Sequence, residues 1–513
     1  MKSSNRRIPF KRFWFLSKKL FYIFLASMFL PSQTVGAEIL RIQQSSGYAP
    51  FISYKDKPAF GYGPSPQNIL TYLPTGNGNN YKTWVEWAMK YKMNHVRSYP
   101  PSIIVDQPSL NVFHSVSGNR DKFDLTKFNN AYFEELSRAC QLMKDNDFFV
   151  HLQLWQSVHW KKRWNDNYYN PVNNINPEIS QDAGPGNFMV VSNPILLVHQ
   201  KEYVLKILDS TAKIGNVFYD LANEIGNGTG SDHNWVLAML ETIRLWEQTN
   251  HHKVLVTIND EGGRRVSGIE GIFEMTDLIV KDLGRWDEHI KAQRKFAKPT
   301  ISVRNVDWDY EKSNRSYFYG DFNLEVNSDQ DLQVRGRKYW WRMFMARVQM
   351  AGGYADAYDK SKESLGYKII NKLLRALGME NLVQTNFEPS YHLNTLSEKN
   401  FINFRKFTEG INDYPSLQPF DKLVINHPAA HQYTLQSPKE VVMYIESPNG
   451  RSGFEYPEKN VTLSGLLLDD GKYNTAFYVP ATGNTLEIVT SVQNGKASLS
   501  IPRFTDDLAI YIR

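Results

Sequence analysis

Cysteine is almost absent from this chain: Cys140 is the only one in 513 residues. That excludes an intrachain disulfide and any zinc site built on thiolates. Cys140 sits in FEELSRACQLM, where the helical spacing of Phe133, Leu136, Cys140 and Leu142–Met143 marks a buried packing residue rather than a nucleophile. The sequence also has no GxGxxG or GxxxxGK[ST] loop for nucleotide phosphates, no GxSxG nucleophile turn and no HExxH metal pair. No cofactor and no metal is therefore expected, and His151 and His159 are assigned to hydrogen bonding.

Acids are missing from the first 37 residues, which carry Lys2, Arg6, Arg7, Lys11, Arg12, Lys18 and Lys19. The apolar stretch that follows these, LFYIFLASMFL (20–30), is 11 residues long, where a bilayer span needs about 20. With the small residues Val35 and Ala37 ahead of Glu38, residues 1–37 read as a secretory signal peptide cut after Ala37. The expected destination is secreted or periplasmic, with no stable membrane insertion after cleavage. Most of the formal charge of +6 belongs to this leader, since removing its seven basic residues from 59 leaves 52 against 53 acids. A chain so balanced offers no basic stripe to nucleic acid.

What the sequence has in quantity is aromatic surface, 13% of residues with 12 Trp, which suits sugar rings as well as cores. Eight short β-type runs recur along the chain: 59–63, 94–99, 148–155, 216–222, 253–258, 277–283, 299–304 and one within 349–358. Helical periodicity lies between them at 81–91, 128–145, 196–214, 231–248, 286–297 and 339–349, with another stretch at 398–411. Repeated βα units without a switch-point glycine loop predict a (β/α)₈ barrel over 38–419. Beyond it, runs at 440–446, 463–469, 474–480, 485–492, 497–502 and 508–513, separated by turn signals, predict a small antiparallel β-sandwich over 420–513.

Barrel enzymes carry their chemistry at the C-terminal strand ends. Those ends hold Arg97, then Gln153, Trp155 and Gln156, then Asn223-Glu224, Asn259 and Asp260, and last Tyr354 and Asp356. Carboxyl groups, hydroxyl-binding amides and aromatic platforms at one mouth are what glycoside hydrolysis requires. The bland alternative for Glu224 is a helix-capping carboxylate. The loop 160–188, polar and Asn-rich, is too long for a simple connector and is expected to shape the cleft.

Arg97 on a second strand and Asn223-Glu224 on a fourth resemble the clan of retaining glycoside hydrolases built on a (β/α)₈ barrel. The layout is most similar to bacterial apiosidase-like barrel proteins whose C-terminal sandwich carries a collagen-binding name, through RKYWWRMFMARVQMAGGYADAY (337–358), NFRKFTEGINDYPSLQP (403–419), NTAFYVPATG (474–483) and SIPRFTDDLAIYIR (500–513). The resemblance implies a glycan substrate, Glu224 as general acid/base, and Asn223 and Arg97 as supporting groups; Gln153, Trp155 and Tyr354 are expected as further substrate contacts from their places at the strand ends. It also implies a nucleophile at the end of strand seven, where this chain instead runs Lys298-Pro299-TISV-Arg304-Asn305. The nearest acids are Asp307, taken as the nucleophile candidate, and Asp309 in NVDWDYE; Asp356 and Asp260 are alternatives. A barrel that lacks a nucleophile and binds carbohydrate without hydrolysing it is the competing expectation.

Overall fold

The structure, a computed structural model, describes residues 38–45, 47–65, 70, 81–104, 111–116, 119–156, 159–160, 162–223, 233–259, 269–281, 286–303, 318–319, 322–323, 329–354, 395–420, 423, 431–447 and 452–513. The expected leader, 1–37, lies outside them. Strands and helices alternate through the first part of the chain: β1 (Gly61–Ser65), α1 (Tyr81–Lys90), β2 (His95–Ser98), α2 (Asn130–Asp145), β3 (Phe149–Gln153), α3 (Pro194–Thr211), β4 (Val217–Asp220), α4 (His233–Asn250) and β5 (Val256–Thr257). The alternation continues with α5 (Ile269–Met275), β6 (Ile279–Lys281), α6 (Trp286–Phe296), β7 (Thr300–Ser302), α7 (Asp329–Met345), β8 (Met350–Tyr354) and α8 (Thr395–Glu409). No helix among the described residues is long and apolar enough to cross a membrane.

The strands pair in parallel in two arcs, β2-β3-β4-β5 and β6-β7-β8-β1. The arcs meet at both ends. Asn94 N donates to Tyr62 O at 3.0 Å between the β1 and β2 segments, and Asp277 N donates to Val256 O at 2.8 Å between the β5 and β6 segments. The result is a closed (β/α)₈ barrel in which all eight expected strands appear.

Alternation along each strand separates two cores. Phe149, Phe218, Leu255, Leu278, Val280, Ile301, Val303 and Met350 form one buried cluster inside the barrel. The alternate residues Val150, Val217, Tyr219, Val256, Ile279 and Ala351 belong to another, shared with the helices. The helices supply that second core from amphipathic stripes: α2 buries Tyr132, Phe133, Leu136, Ala139, Cys140 and Met143. Burial pushes the Cys140 thiol up to about 12, so it is an inert packing group. At the N-terminal end of the strands, an unanticipated antiparallel sheet of Arg41–Gln43, Phe51–Tyr54 and Lys57–Pro58 plugs the barrel. Gln349 holds the plug by accepting from Ile52 N (2.6 Å) and donating to Ile52 O (2.7 Å).

The C-terminal sandwich is one antiparallel sheet folded on itself. Its strands are β9 (Gln418–Pro419), β10 (His431–Gln436), β11 (Val441–Glu446), β12 (Lys459–Ser464), β13 (Gly471–Tyr478), β14 (Thr485–Gln493), β15 (Lys496–Ile501) and β16 (Asp507–Ile512), in the order β9-β10-β11-β16-β13-β14-β15-β12. The run expected at 463–469 is instead β12 ending at Ser464, because Gly465 turns the chain at φ 92°. Central strands β11 and β16 are buried throughout. Val441, Met443, Ile445, Leu508, Ile510 and Ile512 fill the sandwich core, while Val442, Tyr444, Ala509 and Tyr511 pack with the barrel helices.

Helix α7 makes the joint. Trp341 stacks on Tyr444, ring centroids 5.2 Å apart and planes at 11°. Arg337 holds Asp507 through Nε and Nη2 at 2.8–3.1 Å, Arg342 Nε donates to Glu446 Oε1 at 2.7 Å, and Lys338 Nζ donates to Ser447 Oγ at 2.5 Å. Burial lowers the Arg337 pKa, but the Asp507 carboxylate more than offsets it and leaves it raised. Helix α7 begins ten residues ahead of the expected 339: the polar DQDLQVRGRK has no apolar period to mark it in sequence, and Arg337 and Lys338 at its end are held by the sandwich.

Candidate functional site

The interior of the barrel changes character along its axis. Its base is mostly apolar, and the next inward positions of β2 to β4 are polar: Arg97, His151, Gln153 and Asp220, all buried. The ladder carries on past the end of β4, with Leu154 N on Asp220 O (2.8 Å), Leu221 N on Thr257 O (2.9 Å) and Asn223 N on Trp155 O (2.9 Å). Asn223 is thereby pinned between the ends of strands three and five, next to Gln156 in a parallel bridge.

The side chains interlock around Asn223 and Asp220. Arg97 Nη2 donates to Asn223 Oδ1 at 2.7 Å and lies 3.6 Å from Asp220 Oδ2. Asn259 Nδ2 donates to the same Asn223 Oδ1 at 2.7 Å, and Asn223 Nδ2 donates to Gln156 Oε1 at 2.7 Å. Asp220 Oδ1 accepts from Asn259 N at 3.0 Å, and its Oδ2 accepts from Gln153 Nε2 at 3.4 Å. Guanidinium can only donate and carboxylate can only accept, so each carboxamide has one permitted orientation. Asn223 must turn its oxygen to Arg97, Asn259 must present its nitrogen to Asn223, and Gln153 must present its nitrogen to Asp220. Gln153 Oε1 and Asn259 Oδ1 are left as buried acceptors without a hydrogen-bond partner among the described residues.

His151 Nε2 lies 3.3 Å from Asp220 Oδ2, in ion-pair reach but off the hydrogen-bond direction. Burial lowers the His151 pKa to about 4, against the opposing pull of Asp220 and with help from Arg97. The imidazole is therefore neutral near pH 7, and Arg97 and Asp220 are the opposed charges of the network. No group of His, Cys, Asp and Glu among the described residues could hold a metal ion.

Of the residues singled out in sequence, Arg97, Gln153, Gln156, Asn223 and Asn259 are brought into this one network. Trp155 is not. Its ring packs against Tyr203 (4.6 Å between centroids), Phe188 (5.5 Å), Tyr169 (6.2 Å) and Trp235 (6.4 Å), 1% exposed, so its faces are covered by protein and it is a core residue rather than a sugar platform. Tyr354 ends β8 opposite Ser65, with its side chain outside the described residues. Glu224, Asp307, Asp309, Asp260 and Asp356 also lie outside them. Asp220 was not singled out; its signal is the parity of VFYD, which puts Phe218 and Asp220 on one face.

The Asn-rich loop is a packed structure in its own right. Asn173 Nδ2 donates to Asn165 O (2.7 Å) and Asn167 O (2.9 Å), and Asn174 Nδ2 to Tyr168 O (3.0 Å) and Asn170 O (2.9 Å). Asn176 Oδ1 accepts from Leu125 N at 2.8 Å. Side-chain amides take the place of a backbone ladder, which is why so much asparagine is buried here.

No family model matches the sequence, and no curated protein matches it. Solved structures do match in shape. A protein described as a glycoside hydrolase superposes with TM-score 0.55 at 10% identity, over 93% of this chain and 97% of that one. A family 5 glycoside hydrolase from Bacteroides vulgatus gives 0.56 at 10% identity over 92% of each chain. A second Bacteroides vulgatus protein, assigned to the glycoside hydrolases, gives 0.58 at 13% identity over 93% of this chain and 82% of that one. The chain has the fold of barrel glycoside hydrolases. At such identities the likeness concerns fold, a (β/α)₈ barrel followed by an antiparallel β-sandwich, and leaves activity to the residues of the site.

Proposed function

We propose that this protein is a secreted glycoside hydrolase acting on an oligosaccharide or polysaccharide, with Glu224 as general acid/base. The observation that carries the reading is the Arg97–Asn223–Asn259 network, which fixes the residue immediately before Glu224 at the end of strand four. Held by two donors at its oxygen, Asn223 keeps one Nδ2 hydrogen for a sugar hydroxyl, while Gln153 Oε1 and Asn259 Oδ1 can accept from others. A carboxyl at Glu224 would protonate the leaving oxygen, and a second carboxylate, Asp307 in this proposal, would attack the anomeric carbon in a retaining reaction. The segments 337–358 and 403–419 support the narrower likeness to apiosidase-like proteins. The sandwich braces the barrel in this reading, since one face of β11 and β16 is spent on the joint with α7.

One observation favours a second reading, carbohydrate binding without hydrolysis: the seventh strand and its end, Thr300–Val303, carry no carboxylate. Screening the mature chain, 38–513, against plant and microbial glycans separates the two. Hydrolysis that is lost in Glu224→Ala supports the enzyme; binding with no turnover by the parent, unchanged in Glu224→Gln, supports the binding protein.

A further inference from the structure

Asp220 is fully buried and touches every strand of the polar arc. It sits on β4, accepts from Gln153 at the end of β3 and from the Asn259 backbone just after β5, and faces Arg97 of β2. Among the described residues of this network it is the sole carboxylate, and Arg97 is the sole permanent cation. Both groups that hold Asn223 Oδ1, Arg97 and Asn259, are themselves held by Asp220. We propose that Asp220 is a positioning residue, which by balancing Arg97 and tying down Asn259 sets the hydrogen-bond polarity of the whole site. In that state Asn223 offers a donor, and Gln153 and Asn259 offer acceptors, to an uncharged, hydroxyl-rich ligand.

The physical step is the fixed sign of the carboxylate. An amide in its place could donate to Gln153 as readily as accept from it, so Gln153 could turn over and offer nitrogen where it had offered oxygen. Arg97 would lose its counter-charge while remaining buried, and would be drawn away from Asn223 toward water or another acceptor. Glu224 follows Asn223 directly, so a displaced Asn223 shifts the proposed acid; misplacement by about 1 Å can cost on the order of 100-fold in rate. The role rests on the glycosidase reading for its effect on catalysis, and on geometry alone for its effect on Arg97 and the carboxamides.

The test is a double-mutant cycle on kcat/KM with Asp220→Asn, Arg97→Met and both together. The substrate is whichever of the 4-nitrophenyl glucosides, galactosides, xylosides and arabinosides the parent cleaves fastest. Asp220→Asn is expected to lose about 100-fold. Because part of its effect runs through Arg97, the two losses should not multiply, and the double variant should lie at least about 3-fold above the product of the single losses. A double variant as low as the product of the two single losses, or an Asp220→Asn protein within about 2-fold of the parent, overturns the proposal. If Asp220→Asn does not fold, the double variant carries no unpaired buried charge, and its crystal structure set against that of Arg97→Met decides. If the parent cleaves none of these glycosides and no glycan of the screen, the glycosidase reading fails by itself. A crystal structure of Asp220→Asn, or of the double variant set against Arg97→Met, then judges the positioning role. Displacement of the side chains that Asp220 holds sustains it; a carboxamide arrangement identical to that of the Asp220 counterpart overturns it.

Discussion

Asp507→Ala at the barrel–sandwich joint has a magnitude that can be worked out beforehand. Asp507 has no exposed surface, takes both ends of the Arg337 fork and accepts from Tyr444 Oη at 2.7 Å. Removing it leaves Arg337, 6% exposed, with Asp506 at 3.7 Å as its one remaining ion-pair partner among the described residues. Breaking a buried pair from one side costs about 3–5 kcal/mol, because the remaining charge stays desolvated. The effect on Tm depends on what unfolds together. A unit of about 475 residues has an unfolding entropy of roughly 1 kcal/mol/K, giving a drop of about 3–5 °C, whereas a sandwich of about 95 residues melting alone would drop by about 15–25 °C. The buried core runs without a break from the helices into β11 and β16, so a single calorimetric transition lowered by the smaller amount is expected. Replacing both partners, with Arg337→Met and Asp507→Leu together, should recover most of the loss. A separate early sandwich transition, or no shift at all, would refute the joint as described.

Two further outcomes follow from buried groups of the barrel domain. A methyl added at Gly61 would collide with Met350 Sδ and come within 3.1 Å of Phe149 and 3.3 Å of His95, so Gly61→Ala should lose about 1–3 kcal/mol by urea unfolding; an unchanged midpoint would contradict the packing. Burial lowers the pKa of His151 to about 4 and those of His159 and His289 to about 3. The unfolded chain therefore binds protons that the folded one refuses between these values and about 6.5. Stability from these groups is full above about 6.5 and is lost as pH falls toward 4. Urea midpoints measured from pH 7 to 4.5 should fall, with a shallower slope in His289→Gln; a flat profile would contradict neutral buried imidazoles.

The barrel was legible because burial on both faces makes parallel strands into short apolar runs, and the intervening helices keep their 3.6-residue stripe. β4 shows how much a single strand yields: VFYD marks the strand, and its parity also marks Asp220 as an inward group. Trp155 shows the limit. It lies just past the end of β3, where the alternation of Leu152 and Leu154 no longer governs, and its ring is covered by Tyr203 and Trp235 of the helices together with Tyr169 and Phe188 of the loop. The start of α7 was illegible for a different reason, since the partners of Arg337 and Lys338, Asp507 and Ser447, lie more than 100 residues away and no local pattern encodes them. The N-terminal plug shares that dependence on a distant partner, Gln349.

The account stands most directly on Glu224 as the acid, and leaving-group dependence tests it. For the glycan that the parent cleaves, Glu224→Gln should lose on the order of 100–10,000-fold, the usual share of general acid catalysis. For the corresponding 2,4-dinitrophenyl glycoside, whose leaving group needs no proton, cleavage steps should be spared by comparison. Equal rates for parent and Glu224→Gln on both substrates, or equal losses on both, would contradict the assignment.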